Sequence, residues 1–187
     1  MTLVFASNNA HKLQEVRAIL AGHTILSLED IGCHADIPET ANTLEGNSLL
    51  KAQYVFDHFH CDCFADDTGL EIEALGNQPG VYTARWAGEP SNPANNRKKA
   101  LQELAGKDNR RARFRTVITL IRGGKIDQVE GIVPGSIAEA EYGNGGFGYD
   151  PLFIPEGYDK TFAELPAETK NAISHRARAL QALTNIL

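Results

Sequence analysis

Cysteine is scarce and odd in number: Cys33, Cys61 and Cys63 are the only three in 187 residues, which argues against a disulfide framework. Basic residues are in deficit, 18 Lys and Arg against 24 Asp and Glu, giving a net charge of −6 and a pI near 5.5. That balance excludes broad binding to a phosphate backbone while leaving room for a basic pocket. No apolar run approaches the ~20 residues of a membrane span. The start, Met-Thr-Leu-Val-Phe-Ala-Ser-Asn-Asn, has neither the basic lead nor the apolar stretch of a signal peptide, so the expected location is the cytoplasm. Internal repeats, low-complexity tracts and linkers are missing as well. What remains is an ordinary soluble composition, 42% apolar and 22% charged, in a length that fits one domain with a sizeable core.

The chemistry is expected around Cys61 to Glu73. Phe64 and Ala65 read as the end of a buried strand, and Leu70 to Ala74 alternates like a half-exposed one. Asp66 and Asp67 sit between them, followed by Thr68-Gly69, which reads as a tight break. Adjacent carboxylates repel each other and are costly to desolvate. A hard cation such as Mg²⁺ removes that cost because it takes oxygen ligands and keeps several waters. The plainer alternative is a polar turn with two solvated acids. His58, His60, Cys61 and Cys63 form another cluster of metal-ligand types, but H-x-H and C-x-C are not finger spacings and no second pair follows.

Leu3 to Ala6 fits a first buried strand, then Ser7-Asn8-Asn9-Ala10-His11-Lys12 leads into a helix marked by Leu13, Val16, Ile19 and Leu20. Amides at that helix start could bind an anion with Lys12 adding charge, or Ser7 or Asn9 could simply cap the helix. Thr24 to Leu28 reads as a second strand. Asn42 with Glu45 resembles a capping box opening a helix whose apolar content is Leu49, Leu50, Ala52, Val55, Phe56 and Phe59; Lys51 on it could be solvated. Gly76 to Pro90 reads as loop, and Asn92-Pro93 as a helix start. Arg111 to Ile121 enters a core as a strand with Arg111, Arg113 and Arg115 on a solvated face, and Gly123-Gly124 turns it into a strand over Ile126 to Val133. Gly143 to Gly148 spells G-x-G-x-x-G, but Tyr149-Asp150-Pro151 follows and cannot begin the required helix, so no dinucleotide site is expected. Glycines bracketing Phe147 and Tyr149 instead suit backbone approach to a flat ligand with aromatics for stacking. On one unbroken C-terminal helix Lys170 and His175 would stand about 140° apart. They can converge only if regular helix begins near Ser174, with Lys170 on the incoming segment.

Taken together, Ser7–Lys12, Ala65-Asp-Asp-Thr-Gly69, Pro79-Gly-Val-Tyr-Thr-Ala-Arg85, Gly146-Phe-Gly-Tyr-Asp-Pro151 and Lys170-Asn-Ala-Ile-Ser-His-Arg176 resemble the inosine triphosphate pyrophosphatase family, in order and over nearly the whole chain. The resemblance implies one nucleoside triphosphate pyrophosphatase domain over residues 1–187. Its fold would be α/β, an elongated long mixed sheet with flanking helices and two lobes around a central cleft, and its assembly a homodimer. The implied reaction converts ITP, dITP and XTP to the monophosphate and pyrophosphate with Mg²⁺. By resemblance Ser7, Asn8, Asn9, Ala10, His11 and Lys12 hold the triphosphate, and Asp67 is catalytic acid/base and metal ligand. Glu39 is a further metal ligand and Thr68 touches substrate. Phe147, Gly148, Tyr149, Asp150, Lys170, His175 and Arg176 frame base and sugar. Asp66 is expected to aid Asp67 in holding the ion.

One departure stands out: relatives commonly read Glu-Asn where this chain has Gly46-Asn47, and the neighbouring Glu45 points ~100° away on a helix. Selectivity has a physical reading, since donors such as backbone N–H groups or Lys170 would pair with the 6-keto oxygen of hypoxanthine or xanthine and be stranded by adenine. The rivals are an aspartic peptidase using Asp67-Thr68-Gly69, a pyrophosphatase for modified pyrimidine triphosphates, and a non-catalytic nucleotide-binding protein.

Overall fold

The computed structural model describes residues 1–187, which divide into two compact units: Met1–Asp67, Thr116–Gly131 and Arg176–Leu187, and Thr68–Arg115 with Ile132–His175. The chain order is β1 (Thr2–Phe5), α1 (Ala10–Ile19), β2 (Thr24–Leu26), α2 (Leu44–Phe59), β3 (Cys63–Ile72), β4 (Gln78–Gly80), α3 (Pro93–Leu104), β5 (Arg111–Arg122), β6 (Lys125–Ile137), β7 (Phe153–Pro155), α4 (Ala167–Ile173) and α5 (His175–Thr184). Seven strands form one sheet in the order β2-β1-β3-β5-β6-β7, with β4 on β3. The sheet is mixed: β1 runs parallel to β2 and β3, while β4 and β7 are antiparallel to β3 and β6.

In the first unit the period-two alternation of buried strands sorts side chains onto two faces. Leu3, Phe5 and Phe64 point to one face, where Val16 and Leu20 of α1 and Ala179, Leu180 and Leu183 of α5 cover them. Val4, Ala6, Cys63 and Ala65 point to the other, covered by Ala52 and Val55 of α2 together with Leu28, Cys33 and Ile37. Burying both faces explains why these strands read as continuous apolar runs. The second unit packs Leu70, Ile72, Phe114, Val133 and Phe153 against Ala100 and Leu104 of α3. Charged residues line the strands between these apolar positions: Arg113 bonds Glu71 at 2.6 Å, and Arg111 lies 3.7 Å from Glu73 just past β3.

Several sequence expectations need correction. Asp66-Asp67-Thr68-Gly69 is not a break; it lies inside a single ten-residue strand, β3, because buried cations compensate the acids that would otherwise end it. The cap of α2 is Thr43, whose hydroxyl accepts from the Gly46 N–H, and not Asn42. Leu50 faces outward while Lys51 is buried, since the inward stripe of α2 runs Asn47, Ser48, Lys51, Ala52 and Val55. The Gly76–Pro90 stretch contains β4, and β6 continues to Ile137. The Gly123-Gly124 turn is as expected, with both residues at positive φ, the geometry a two-residue hairpin needs. The C-terminal helix does break at Ser174, whose ψ of 163° is extended, but Lys170 sits on a short helix of its own.

Candidate active site

Strand alternation decides the roles of the two acids. Asp66 follows Phe64 onto the α1/α5 face, and Asp67 follows Ala65 onto the α2 face. The Asp66 carboxylate, 1% exposed, accepts from Lys12 Nζ at 3.1 Å and from Arg176 Nε at 3.0 Å. Arg176 continues the chain of charges to Glu15 of α1. Burial alone would raise the Asp66 carboxyl, but Lys12, Arg176 and Lys51 overcome it and hold the group well below the usual carboxylate range. The Asp66 carboxylate is therefore paired with cations, on the face of β3 opposite to Asp67.

Asp67 meets different surroundings. Burial pushes its carboxyl up to about 6, opposed by Lys51 and Lys12 and reinforced by Glu39 and Asp66. Lys51 bridges this side: its ammonium donates to the Asp66 carbonyl at 2.5 Å and pairs with Glu39 at 2.7 Å. Despite burial, Asp66, Glu39 and Asp67 together raise the Lys51 pKa. Lys12 goes the other way, lowered by burial and by the neighbouring Lys51 and Arg176 beyond what Asp66 restores. A cation in that state gains from any further negative charge brought to it. Lys51 was missed from sequence. The available signal was its spacing four residues from both Asn47 and Val55, which places it on the inward stripe of α2.

The loop before α1 is self-capped. Asn9 Oδ1 accepts from the N–H groups of His11 and Lys12, and Ser7 Oγ accepts from Asn9 N–H. Asn8, Ala10 and His11 are exposed, and Thr68 is half-buried on β3. As for a metal, no group of three or more His, Cys, Asp or Glu side chains gathers anywhere in the chain. Asp67 and Glu39, by contrast, lie within each other's field. Two carboxylates without a protein cage fit Mg²⁺, which keeps waters and takes substrate phosphate oxygens. At Gly46 a Cβ would lie 2.6 Å from the Ala41 Cβ, so the segment before α2 occupies the space a side chain there would need. The cysteine and histidine cluster has other occupations: the Cys63 thiol bonds the Ala52 carbonyl, and His58 stacks on Tyr54.

The second unit gathers the remaining residues. Lys170 Nζ lies 2.5 Å from Asp150 Oδ2 and 4.8 Å from the Phe147 ring centre. Phe147 N–H donates to the same Asp150 oxygen at 3.0 Å. Gly146 is required there, since a Cβ would come within 2.1 Å of that oxygen. Tyr149 donates its buried hydroxyl to the Thr83 carbonyl at 2.6 Å. His175 stacks on Phe114 at 4.5 Å and is buried. Arg176 lies in the first unit, where its guanidinium bonds Asp66.

Comparison with known proteins finds relatives that match along the whole chain. The dITP/XTP pyrophosphatase of Flavobacterium johnsoniae is 55% identical over 188 residues, covering 100% of this chain and 98% of its own. The Ham1 protein of Staphylococcus aureus superposes with a TM-score of 0.89 at 36% identity, covering 100% of this chain and 97% of the other. That of Coxiella burnetii gives 0.90 at 35%, covering 100% and 98%. Residues 3–186 match the sequence model of the Ham1 family, and the chain belongs to that family.

Proposed function

We propose that the chain hydrolyses non-canonical purine nucleoside triphosphates, ITP, dITP and XTP, to the monophosphate and pyrophosphate, clearing them from the nucleotide pool. Full-length identity of 55% to a dITP/XTP pyrophosphatase supports the reaction. The observation that carries it in the geometry is Asp67, a buried carboxyl on β3 with Lys51, Lys12 and Glu39 in its field. Its carboxylate can take a proton from an attacking water. The water oxygen bonds the α-phosphorus, the bridging bond to the β-phosphate breaks, and pyrophosphate leaves with the electron pair. Mg²⁺ held by Asp67 and Glu39 would supply positive charge to the phosphoryl oxygens. Lys12 adds a cation, with Asp66 and Arg176 positioning it.

For the base, Lys170 and Asp150 offer a donor and an acceptor side by side. The 6-keto oxygen and N1–H of hypoxanthine or xanthine match that pair, whereas adenine presents the reverse. Phe147 supplies a ring for stacking. A cytoplasmic homodimer is the proposed setting; no helix of the chain is long and apolar enough to cross a membrane.

The test is pyrophosphate release from ITP, XTP, GTP and ATP with Mg²⁺ and with chelator. Rapid release from ITP and XTP, lost on chelation, is expected. Orthophosphate as the product, or no release with any divalent ion, would remove the reading. Lys51→Met gives a second check. Removing a cation that lowers the Asp67 pKa should move the acid limb of the pH–rate profile to higher pH and reduce turnover at pH 7 by roughly tenfold. An unmoved limb would take Lys51 out of the site.

A further inference from the structure

The Gly143–Asp150 loop carries Phe147 and Asp150, yet its own sequence provides little stiffness. Gly143, Gly146 and Gly148 all take positive φ, a region glycine enters freely and therefore without selecting one conformation. Its shape must be imposed by neighbours, and two side chains do so at adjacent residues. One is Tyr149, bonded to the Thr83 carbonyl. The other is Arg97 of α3, which donates Nη1–H to the Gly148 carbonyl at 2.8 Å and Nε–H to the Glu141 carboxylate. The Arg97 side chain is only 19% exposed. A planar guanidinium fixes two acceptors at once, so it ties the residue just ahead of the loop to a carbonyl within it. The carbonyl it holds belongs to Gly148, the residue after Phe147, whose N–H bonds Asp150. Of its two acceptors, Glu141 lies outside the assigned site and Gly148 belongs to the turn expected to frame the base.

We infer that Arg97, anchored by Glu141, is a positioning residue for nucleobase recognition, acting through the Gly148 carbonyl to hold the turn that presents Phe147 and Asp150. This rests on the functional reading above. It predicts a cost in binding and discrimination and not in the chemical step, because Arg97 works through the base loop and not on Asp67.

The experiment compares wild type, Arg97→Met and Arg97→Lys for pyrophosphate release from ITP and ATP, with amide hydrogen exchange of residues 145–150. Arg97→Met should raise KM for ITP about tenfold, the scale of one lost charge-assisted hydrogen bond, with kcat within about threefold. Its kcat/KM preference for ITP over ATP should shrink by about tenfold. Exchange of the loop amides should quicken about tenfold while that of α3 stays as in wild type. Arg97→Lys keeps a point charge but not the fork and should fall between the two; it also serves if the Met variant fails to fold. A merely structural arginine would lower thermal stability and leave KM and preference unmoved, and that result overturns the inference. So does loop exchange unchanged from wild type. A wild type inert towards both ITP and XTP overturns the functional reading and this inference with it; an active wild type with an indifferent Arg97→Met overturns this inference alone.

Discussion

Asp67→Asn should lower turnover of ITP by at least ~10² while the chain stays folded and still binds nucleotide, since it removes the proton acceptor and an ion ligand together. The same substitution should stabilise the protein free of divalent ions. A carboxyl whose folded pKa is raised stabilises the fold fully below its unfolded pKa and loses that contribution as pH rises through the folded value. For Asp67 the window runs from 3.8 to about 6. Above it, the ionised group costs roughly 3 kcal/mol, the linkage equivalent of that shift. Denaturant unfolding of Asp67→Asn should therefore exceed wild type in stability at pH 8 by about that amount, with the gap closing near pH 4. Adding Mg²⁺ should raise wild-type stability and leave the variant unmoved. Equal stabilities at pH 8 would show that Asp67 carries no such penalty, and full turnover would remove it from the reaction.

The second large effect is expected from Asp66. Its carboxylate lies between Lys12 and Arg176, all three largely withdrawn from water. Asp66→Asn leaves those cations against a neutral amide, and arginine cannot relieve the imbalance by giving up its proton. Breaking a buried ion pair from one side costs about 3–5 kcal/mol, which for a chain of this size lowers Tm by roughly 6–20 °C. Adding Arg176→Met should restore part of that loss, because the stranded charge goes with it. Because cations hold the Asp66 carboxyl below its ordinary range, its contribution is present above the unfolded pKa and lost as pH falls towards the folded one. The destabilisation should accordingly be full at pH 7 and shrink in acid. An Asp66→Asn protein that melts with wild type, or a double variant no better than the single, would dissolve the proposed network.

These two outcomes also separate what could be read along the chain from what could not. The apolar runs and periodicities of β1, α1, α3 and β5 were legible because each is a local pattern matched to a local repeat. The Asn92-Pro93 helix start was legible for the same reason: N-capping acts within one turn. The ordered motifs, from Ser7–Lys12 to Lys170–Arg176, were enough to indicate a nucleotide pyrophosphatase. Lys51 was not legible, since a lysine on a helix declares neither its face nor its partner. Nor was Arg97, whose partners Glu141 and Gly148 lie more than forty positions away.

By itself, then, the sequence determined the mixed α/β class, the reaction family and the identity of the acid pair. Only the tertiary structure decided that Asp66 and Asp67 do different work. One pleat turns consecutive carboxylates to opposite faces of β3. α1 and α5 meet the first with Lys12 and Arg176, and α2 meets the second with Lys51. Whether a buried acid is neutralised or left poised depends on the charges packed against it, and those come from segments remote in the chain.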